Sequence, residues 1–397
     1  MKIAMIGWEF PPFMSGGLGI HCLELTTQLS KMGIAIDFYM PHIEAVEGGL
    51  RVSQHHKHLH IVEVEADPTL TPYGAAHPGK RGYEETFNAA VWQYNRRVVD
   101  EWRSDDADVI HAHDWITIQA GLELKRRTGK PLIWSCHSTE YDRSAGFFPQ
   151  DWIIELEKEA VRQADLVIGV SELTRKQLID RYGADPARTV AIHNGVDFSK
   201  WAAHTDRNYG HASKIVLYLS RVSRQKGPMS FIRAAKRVLE LDGDVRFVVA
   251  GKGEMIPEMI RYCIEHGIME KVTFTGFVPD IEAQRLYELA DVYVLPSVSE
   301  PFGISVLEAM TSGCPTIVSK TTGVGEALTH VLRAEHWDSD EMADQILAVL
   351  RDRPLREALG RNGALEVRKF TWERCGRKTL DTYSKALDLA RPMEVLP

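Results

Sequence analysis

Two glutamates, Glu300 and Glu308, lie on either side of a Pro-Phe-Gly turn in the segment SEPFGISVLEAM (299–310). The apolar run before it is typical of a buried strand, and the pattern after it predicts a helix beginning near Ile304. A helix rises ~1.5 Å per residue, so the carboxylates should lie on the order of 10 Å apart. That exceeds the ~5–5.5 Å of a retaining glycosidase pair. The spacing favours two groups that hold different parts of one ligand, such as a sugar and a ribose; one capping and one surface carboxylate is the structural alternative.

Two further sets of groups could bind phosphate. The first N–H groups of a helix have no partner within it, so the predicted corner leaves the amides of Phe302, Gly303 and Ile304 as donors. Arg221 and Lys226 flank the loop RVSRQK, which follows another apolar strand pattern. A guanidinium and an ammonium beside a helix start suit a diphosphate. A solvated surface pair is the alternative, and the position after a strand supports a ligand role.

A glycine-rich loop, SGGLG, follows the first strand pattern of the chain. Gly16 and Gly17 would let backbone N–H groups approach an anion at the positive end of the next helix. The spacing is not G-x-G-x-x-G, and no acidic residue closes the next strand at the expected place, which disfavours a dinucleotide-dependent dehydrogenase. A tight turn without a ligand is the alternative.

Histidines cluster after two successive strand patterns. His111, His113 and Asp114 end one of them (VIHAHDW), and His137 ends the next (WSCHST). Carboxyl ends of parallel strands meet at one edge of a sheet, so we expect these side chains to lie together. The spacing shows no third ligand for a metal, and we expect no metal. His137 is suited to donate an N–H to a substrate oxygen, with Asp114 orienting it or gripping the acceptor.

Two other patterns suggest metal binding but have simpler interpretations. The run QHHKHLH (54–60) alternates and predicts a solvated strand face. Asp338 and Asp340 resemble the D-x-D of metal-dependent sugar transferases, yet they precede a helix pattern and predict an N-cap.

These loops belong to an alternation of short apolar strands and amphipathic helices, which predicts parallel sheets covered on both faces. The predicted strands are 2–7, 34–40, 60–66, 108–113, 131–136, 164–170 and 189–194, then 214–220, 245–251, 271–276, 290–296 and 315–320. The polar segment 197–213 predicts a linker. We expect an α/β fold of two doubly wound Rossmann-like domains, 1–196 and 197–375, facing each other across a cleft. The segment 376–397 should belong to a last helix that packs back on the first domain.

Composition excludes several classes of protein. The 397 residues carry a net charge of −8, and without a basic face nucleic-acid binding is not expected. No window approaches ~18 uninterrupted apolar residues, so no membrane-spanning helix is expected. The first apolar run is too short for a signal peptide. Five scattered cysteines without a C-x-x-C pair indicate reduced core residues in a cytoplasmic protein.

Taken together, the segments resemble the family-four glycosyltransferases of the two-Rossmann GT-B architecture, most closely their glycogen synthase branch. The matching pieces run in the family's order over nearly the whole chain: SGGLG, HAHDW, CHSTEYDR, SRVSRQKG, VAGKGE, FTGFV and SEPFGISVLEAM. The most specific is the pair of glutamates around Pro-Phe-Gly.

The resemblance implies transfer of a hexose from a nucleoside diphosphate sugar, ADP-glucose or UDP-glucose, to a glucan or small-sugar acceptor. Transfer would retain anomeric configuration and need no metal or other cofactor. Residues 1–196 would serve the acceptor and 197–375 the donor. Arg221 and Lys226 would bind the leaving diphosphate, Glu300 the sugar hydroxyls and Glu308 the ribose.

The resemblance also assigns the remaining positions. His137 would contact the donor's primary hydroxyl, with its carbonyl near the developing oxocarbenium, and Asp114 would lie on the acceptor side. Gly16 and Gly17 would let their loop cover the diphosphate. Phe277 and Val278 would lie near the base, and the amides after Glu300 (those of Phe302, Gly303 and Ile304) would face the sugar.

One departure from the family pattern leaves alternatives open. Bacterial glycogen synthases carry a lysine two residues before the first glycine of K-x-G-G-L, where this chain has Met14. ADP-glucose is therefore less favoured, and a small-acceptor transferase of the sucrose-phosphate or trehalose synthase kind is an alternative. A sugar-nucleotide 2-epimerase is disfavoured by HAHDW and Pro-Phe-Gly. A catalytically silent binding protein is disfavoured because Glu300, Arg221 and Lys226 occur together.

Overall fold

The structure, a computed structural model, describes residues 1–12, 14, 16–42, 57–67, 70, 83–202 and 214–390. The chain divides into two compact units. Unit 1 holds the described residues of 1–140, 149–194 and 372–390, and unit 2 holds those of 141–148 and 195–371. The divisions fall at 194/195 and 371/372, where we expected 196 and 375. Residues 203–213 of the expected linker lie outside the described residues.

Thirteen strands are described. They are β1 Lys2–Ile6, β2 Ala35–His42, β3 Leu59–Glu65, β4 Val109–His113, β5 Leu132–Cys136, β6 Leu166–Gly169, β7 Thr189–Ala191, β8 Lys214–Leu219, β9 Val245–Ala250, β10 Val272–Gly276, β11 Val292–Leu295, β12 Thr316–Ser319 and β13 Leu332–Ala334.

The described α-helices alternate with these strands. They are α1 Gly17–Lys31, α2 Tyr83–Asp100, α3 Asp114–Thr128, α4 Glu140–Arg143, α5 Asp151–Gln163, α6 Glu172–Tyr182, α7 Phe198–Trp201, α8 Pro228–Leu241, α9 Ile256–Glu265, α10 Asp280–Leu289, α11 Ile304–Thr311, α12 Ser339–Arg351, α13 Arg353–Glu366 and α14 Trp372–Ala390.

Unit 1 is built on a seven-stranded sheet in the order β3-β2-β1-β4-β5-β6-β7, with every pairing parallel. Strands β1, β4 and β5 are almost wholly buried, as a sheet covered on both faces requires, and β4 also buries two histidines. Helix α14 packs against α1 within this unit. At their contact a Cβ on Gly376 would lie 3.0 Å from the Cβ of Gln28.

Unit 2 repeats the plan with a six-stranded parallel sheet in the order β10-β9-β8-β11-β12-β13. One apolar core joins its strands to helices α8, α9 and α12, with fully buried side chains such as Tyr218, Phe231 and Phe247. In each sheet the strand order reverses once, between β1 and β4 in unit 1 and between β8 and β11 in unit 2.

The predicted α/β class with two doubly wound sheets is confirmed. All twelve predicted strands are present, and none of their ends shifts by more than three residues. The thirteenth strand, β13, was not predicted, because three residues at a sheet edge are too few to show a periodic pattern. No helix in the described ranges is both long and apolar enough to cross a membrane. All five cysteines are buried and reduced.

Candidate active site

The point where the strand order of unit 2 reverses brings two of the predicted site loops together. In open α/β sheets, ligands bind beyond the carboxyl ends of the strands at such a point. The loop after β8 carries Lys226, and the loop after β11 carries Glu300. The ammonium of Lys226 donates to Glu300 Oε2 at 2.5 Å. The predicted convergence of these two residues is therefore observed.

The Lys226–Glu300 pair is largely shielded from water and held by the backbone. The two side chains are only 13% and 10% exposed. Ser297 Oγ donates to the same carboxylate oxygen at 3.4 Å, and Glu300 forms an isolated β-bridge with Thr322. Removing two charges from water costs free energy that their mutual attraction often does not recover, so a buried ion pair is weak evidence for stability. The position of this pair, at the sheet edge where such folds bind ligands, points instead to function.

Two glycines allow the backbone to pass close to this pair. Gly227 has a φ of 63°, and a Cβ at that position would lie 1.9 Å from the carbonyl oxygen of Pro296. Gly303, the N-cap of α11, has a φ of 98°, and its Cβ would lie 3.3 Å from the Cγ of Glu300. Helix α11 begins at Ile304, as predicted. Its first N–H groups therefore lie next to Glu300 without partners inside the helix.

Arg221 lies in the same loop as Lys226 and is half-buried. Its carbonyl oxygen accepts a hydrogen bond from the hydroxyl of Tyr218 at 2.9 Å. Burial raises the pKa of Tyr218 well above its usual value; the charge of Glu300 raises it further and that of Arg221 opposes the shift.

Glu308 lies one turn inside α11 and is 8% exposed. The hydroxyl of Tyr287 donates to its Oε2 at 3.3 Å. Burial raises the pKa of Glu308 to about 7, the nearby Lys200 opposes that shift, and Asp280 adds to it. Counted over the whole residue, Glu300 is 7% exposed, so neither carboxylate lies on the surface. The structural alternative, a cap and a surface carboxylate, is wrong.

The other predicted donor-side residues differ in exposure. Phe277 follows β10 and is 69% exposed, an unusual position for a phenyl ring, and Val278 beside it is half-buried. Phe302 is buried, and its carbonyl accepts from the amide of Val324 at 2.8 Å. Their predicted roles toward the base and the sugar remain predictions.

Unit 1 has a corresponding cluster where its strand order reverses. Gly16 is the N-cap of α1 and Gly17 its first residue, just after the loop that follows β1. His113 ends β4, and Asp114 starts α3. The next strand, β5, leads into His137. The predicted gathering of His111, His113, Asp114 and His137 at one sheet edge is observed.

Asp114 orients the loop that carries His137. Its Oδ1 accepts from the backbone amides of His137 at 2.8 Å and Ser138 at 3.2 Å. Asp114 itself has a φ of 58°, a left-handed conformation that costs on the order of 1–3 kcal/mol in a non-glycine residue. These two hydrogen bonds fit the role of orienting the histidine, and the role toward the acceptor stays a prediction.

The histidine cluster has a member that was not predicted. His21, from the first turns of α1, packs edge-on against His137 with ring centroids 4.4 Å apart. His113 Nδ1 lies 3.0 Å from His137 Nε2. His111 packs against His113 with ring centroids 4.2 Å apart, and its two nitrogens pair with Tyr383 and Ser135 at 2.8 and 2.7 Å. A single histidine on an amphipathic helix gives no signal in the sequence, and only the closeness of SGGLG could have drawn attention to His21.

Burial keeps this cluster neutral. It lowers the pKa of His21 to about 4, against an opposing hydrogen bond to Asn194. It also lowers the pKa of His113 and His137 well below the usual value, and neighbouring histidines add to the shift. At neutral pH the rings act as hydrogen-bond partners or ligands, not as cations.

Of the two weaker metal patterns, the N-cap prediction for Asp338 is confirmed, and the histidine run is described only in part. Asp338 caps α12, its side chain accepting from the amide of Glu341 at 2.8 Å. In the histidine run, His58 and His60 are exposed, and residues 54–56 lie outside the described residues.

Comparison with known proteins agrees with the fold and shows the family of the chain. Residues 15–200 match the family model described as Glycosyltransferase Family 4, and residues 199–366 match Glycosyl transferases group 1. The chain is 30% identical to an uncharacterised glycosyltransferase of Methanocaldococcus jannaschii, over 98% of this chain and 99% of that protein. It therefore belongs to the family-four glycosyltransferases of GT-B fold.

Two further proteins are similar to this chain. The glycogen synthase of Mycobacterium tuberculosis is 28% identical, over 83% of this chain and 80% of that protein. The structure of sucrose-phosphate synthase from Thermosynechococcus elongatus superposes with a TM-score of 0.81 at 22% identity, over 98% of this chain and 99% of the other. At that identity the second likeness shows the fold alone.

Proposed function

We propose that this glycosyltransferase moves a hexose, glucose in the first instance, from a nucleoside diphosphate sugar to an α-glucan or oligosaccharide, with retention of anomeric configuration. The Lys226–Glu300 pair carries the proposal. It joins a cation and a carboxylate at the ligand-binding edge of unit 2, within a family of sugar transferases. The likeness to a glycogen synthase supports the choice of acceptor.

In the proposed reaction Lys226 exchanges one anionic partner for another. In the structure its ammonium donates to Glu300. When the donor binds, Lys226 and Arg221 face the diphosphate, and Glu300 is left to accept hydrogen bonds from sugar hydroxyls. Negative charge grows on the diphosphate as the glycosidic bond breaks, and fixed cations stabilise that charge most in the transition state.

Three further groups complete the proposed assignment. Glu308 accepts from the ribose, His137 contacts the primary hydroxyl of the donor sugar, and the amides that begin α11 face the sugar. The leaving group is stabilised by side-chain cations, so the proposed mechanism needs no divalent ion. Chelation with EDTA is expected to leave the rate of the metal-free protein unchanged.

A panel of nucleotide sugars tests the proposal. ADP-, UDP- and GDP-glucose are each incubated with the protein, and nucleoside diphosphate release is measured with glycogen, with small sugars or sugar phosphates, and without acceptor. We expect release that depends on a saccharide acceptor, with glucan preferred. Release with a small acceptor alone would select the small-acceptor transferase. Conversion of the donor sugar without diphosphate release would contradict transfer and indicate an epimerase.

A further inference from the structure

Three histidines of unit 1 converge from different elements. His21 comes from α1, His113 from the end of β4 and His137 from the loop after β5. One nitrogen of each ring can be chosen so that all three lie within 4.8 Å of one another. A tetrahedral Zn²⁺ site with bonds of ~2.0–2.1 Å separates its nitrogens by about 3.3 Å, so small side-chain rotations would close the triangle.

Two nitrogens of this triad are buried without a partner. The Nε2 atoms of His21 and His113 have no hydrogen bond within the described residues, and the two residues are 4% and 0% exposed. A buried polar atom without a partner is unfavourable, because it has lost its hydrogen bonds to water. By contrast, both nitrogens of the neighbouring His111 are paired.

The second nitrogen of His21 is held in the manner of a metal ligand. Its Nδ1 donates to Asn194 Oδ1 at 2.7 Å, which places the proton on Nδ1 and a lone pair on Nε2. Metal-binding histidines usually donate their other ring N–H to an oxygen in this way. The three rings are neutral at pH 7, and neutral imidazole is the form that binds metal.

We propose that His21, His113 and His137 form a binding site for a divalent transition-metal ion of the Zn²⁺ class, and that occupancy of this site inhibits sugar transfer. Three imidazoles suit zinc and its neighbours and do not suit Mg²⁺ or Ca²⁺, which prefer oxygen. Inhibition follows because the ion occupies His137. This second clause rests on the proposed function, whereas the binding clause does not.

Binding is tested with Co²⁺ on the untagged, metal-free protein. Cobalt bound by histidines in a tetrahedral site absorbs visible light, and Zn²⁺ added later should displace it. We expect one equivalent of Co²⁺ per chain, competed by one equivalent of Zn²⁺. No visible spectrum and no zinc retained after desalting would overturn the site.

The variant His21→Asn locates the ion. An asparagine amide can take the place of Nδ1 toward Asn194 while removing Nε2, and we expect metal affinity to fall at least tenfold, since even second-shell changes cost ~10–100-fold. His113→Asn is a second variant with the same expectation, and circular dichroism establishes that each is folded. The control is His58→Gln with His60→Gln, two exposed histidines of the surface run. Loss of binding in the control with full binding in both triad variants would overturn the assignment.

Activity tests the inhibitory clause separately. We expect Zn²⁺ to inhibit the wild type, EDTA to restore its rate, and the residual activity of His21→Asn to resist the same zinc concentration. Stoichiometric zinc at the triad without inhibition would overturn this clause alone. If the wild type transfers no sugar at all, the proposed function fails, and the cobalt titration still decides whether the site exists.

Discussion

Lys226 is the residue on which the proposed chemistry depends most. Its ammonium is paired with Glu300 and largely shielded from water. A cation from solvent would therefore not take its position once the lysine is removed. We expect Lys226→Ala to lower kcat on the order of 10²–10³-fold, the loss typical of one transition-state donor. Steady-state release of nucleoside diphosphate measures it.

The same loop offers a matched control. Arg224, two residues earlier, is exposed and lies over the ring of Phe147. Arg224→Ala removes an equal charge from the same loop and should change kcat by only a few-fold. An equal decrease of kcat in both variants would show that the reaction depends on the net positive charge of the loop and not on the position of Lys226.

The carboxylate of Glu308 should lower the stability of the fold while it contributes to donor binding. Its folded pKa is about 7 because of burial, above the ordinary value of 4.5. Between these two values the folded chain holds a proton that the unfolded chain lacks, so the contribution of Glu308 to stability declines as pH rises and is lowest above about pH 7. Glu308→Gln carries no such charge. We expect the free energy of unfolding of this variant to exceed that of the wild type by about 1–3 kcal/mol at pH 8.

Comparing the wild type with Glu308→Gln at several pH values separates the effect of carboxylate ionisation from other effects of the substitution. The difference in unfolding free energy should shrink as pH falls toward 4.5, since both side chains are then neutral in the folded state. Urea unfolding at several pH values measures it, and the KM for the donor should rise in the variant at pH 8. A constant difference across this range would mean that packing, not ionisation, separates the two proteins.

At the scale of elements, the approach of α8 to the end of β11 positions Lys226. Gly227 has no room for a side chain, because a Cβ would lie 1.9 Å from Pro296 O and the residue is left-handed. We expect Gly227→Ala to lower the free energy of unfolding by more than about 1 kcal/mol and to lower kcat. Denaturant unfolding and the diphosphate assay measure the two effects.

Gly243 provides the control for this substitution. A Cβ there meets nothing within 4 Å, and its φ is not left-handed. Gly243→Ala should therefore remain within about 1 kcal/mol of the wild type with unchanged kcat. A Gly227→Ala protein as stable and active as Gly243→Ala would contradict the described packing of the loop on Pro296.

The sequence predicted elements well where burial imposed a pattern, and less well elsewhere. Strands such as β5 and β11 are continuous apolar runs and were found within one or two residues. The three-residue β13 carries no pattern. The Lys226–Glu300 pair could be expected because both residues follow strands of one parallel sheet, whose carboxyl ends share an edge. His21 could not, because its helix position shows neither where its ring points nor that Asn194 fixes it.

At the scale of the whole molecule, two similar sheets serve as separate platforms. Each carries its candidate residues where the strand order reverses: Gly17 and His113 in unit 1, Lys226 and Glu300 in unit 2. The division of the chain is less simple than a linear sequence suggests. Helix α14 belongs to unit 1, and the segment 141–148 belongs to unit 2 although both its flanks belong to unit 1. Such exchanges depend on contacts between distant residues, which periodicity does not reveal.

The stereochemical course of transfer tests the central claim most directly. An α-linked nucleotide glucose and the acceptor that supports diphosphate release are mixed with the protein, and the anomeric proton of the first-formed product is followed by NMR. The account predicts an α-linked product that appears together with nucleoside diphosphate in EDTA. A β-linked product, or transfer only when a divalent ion is supplied, would contradict it.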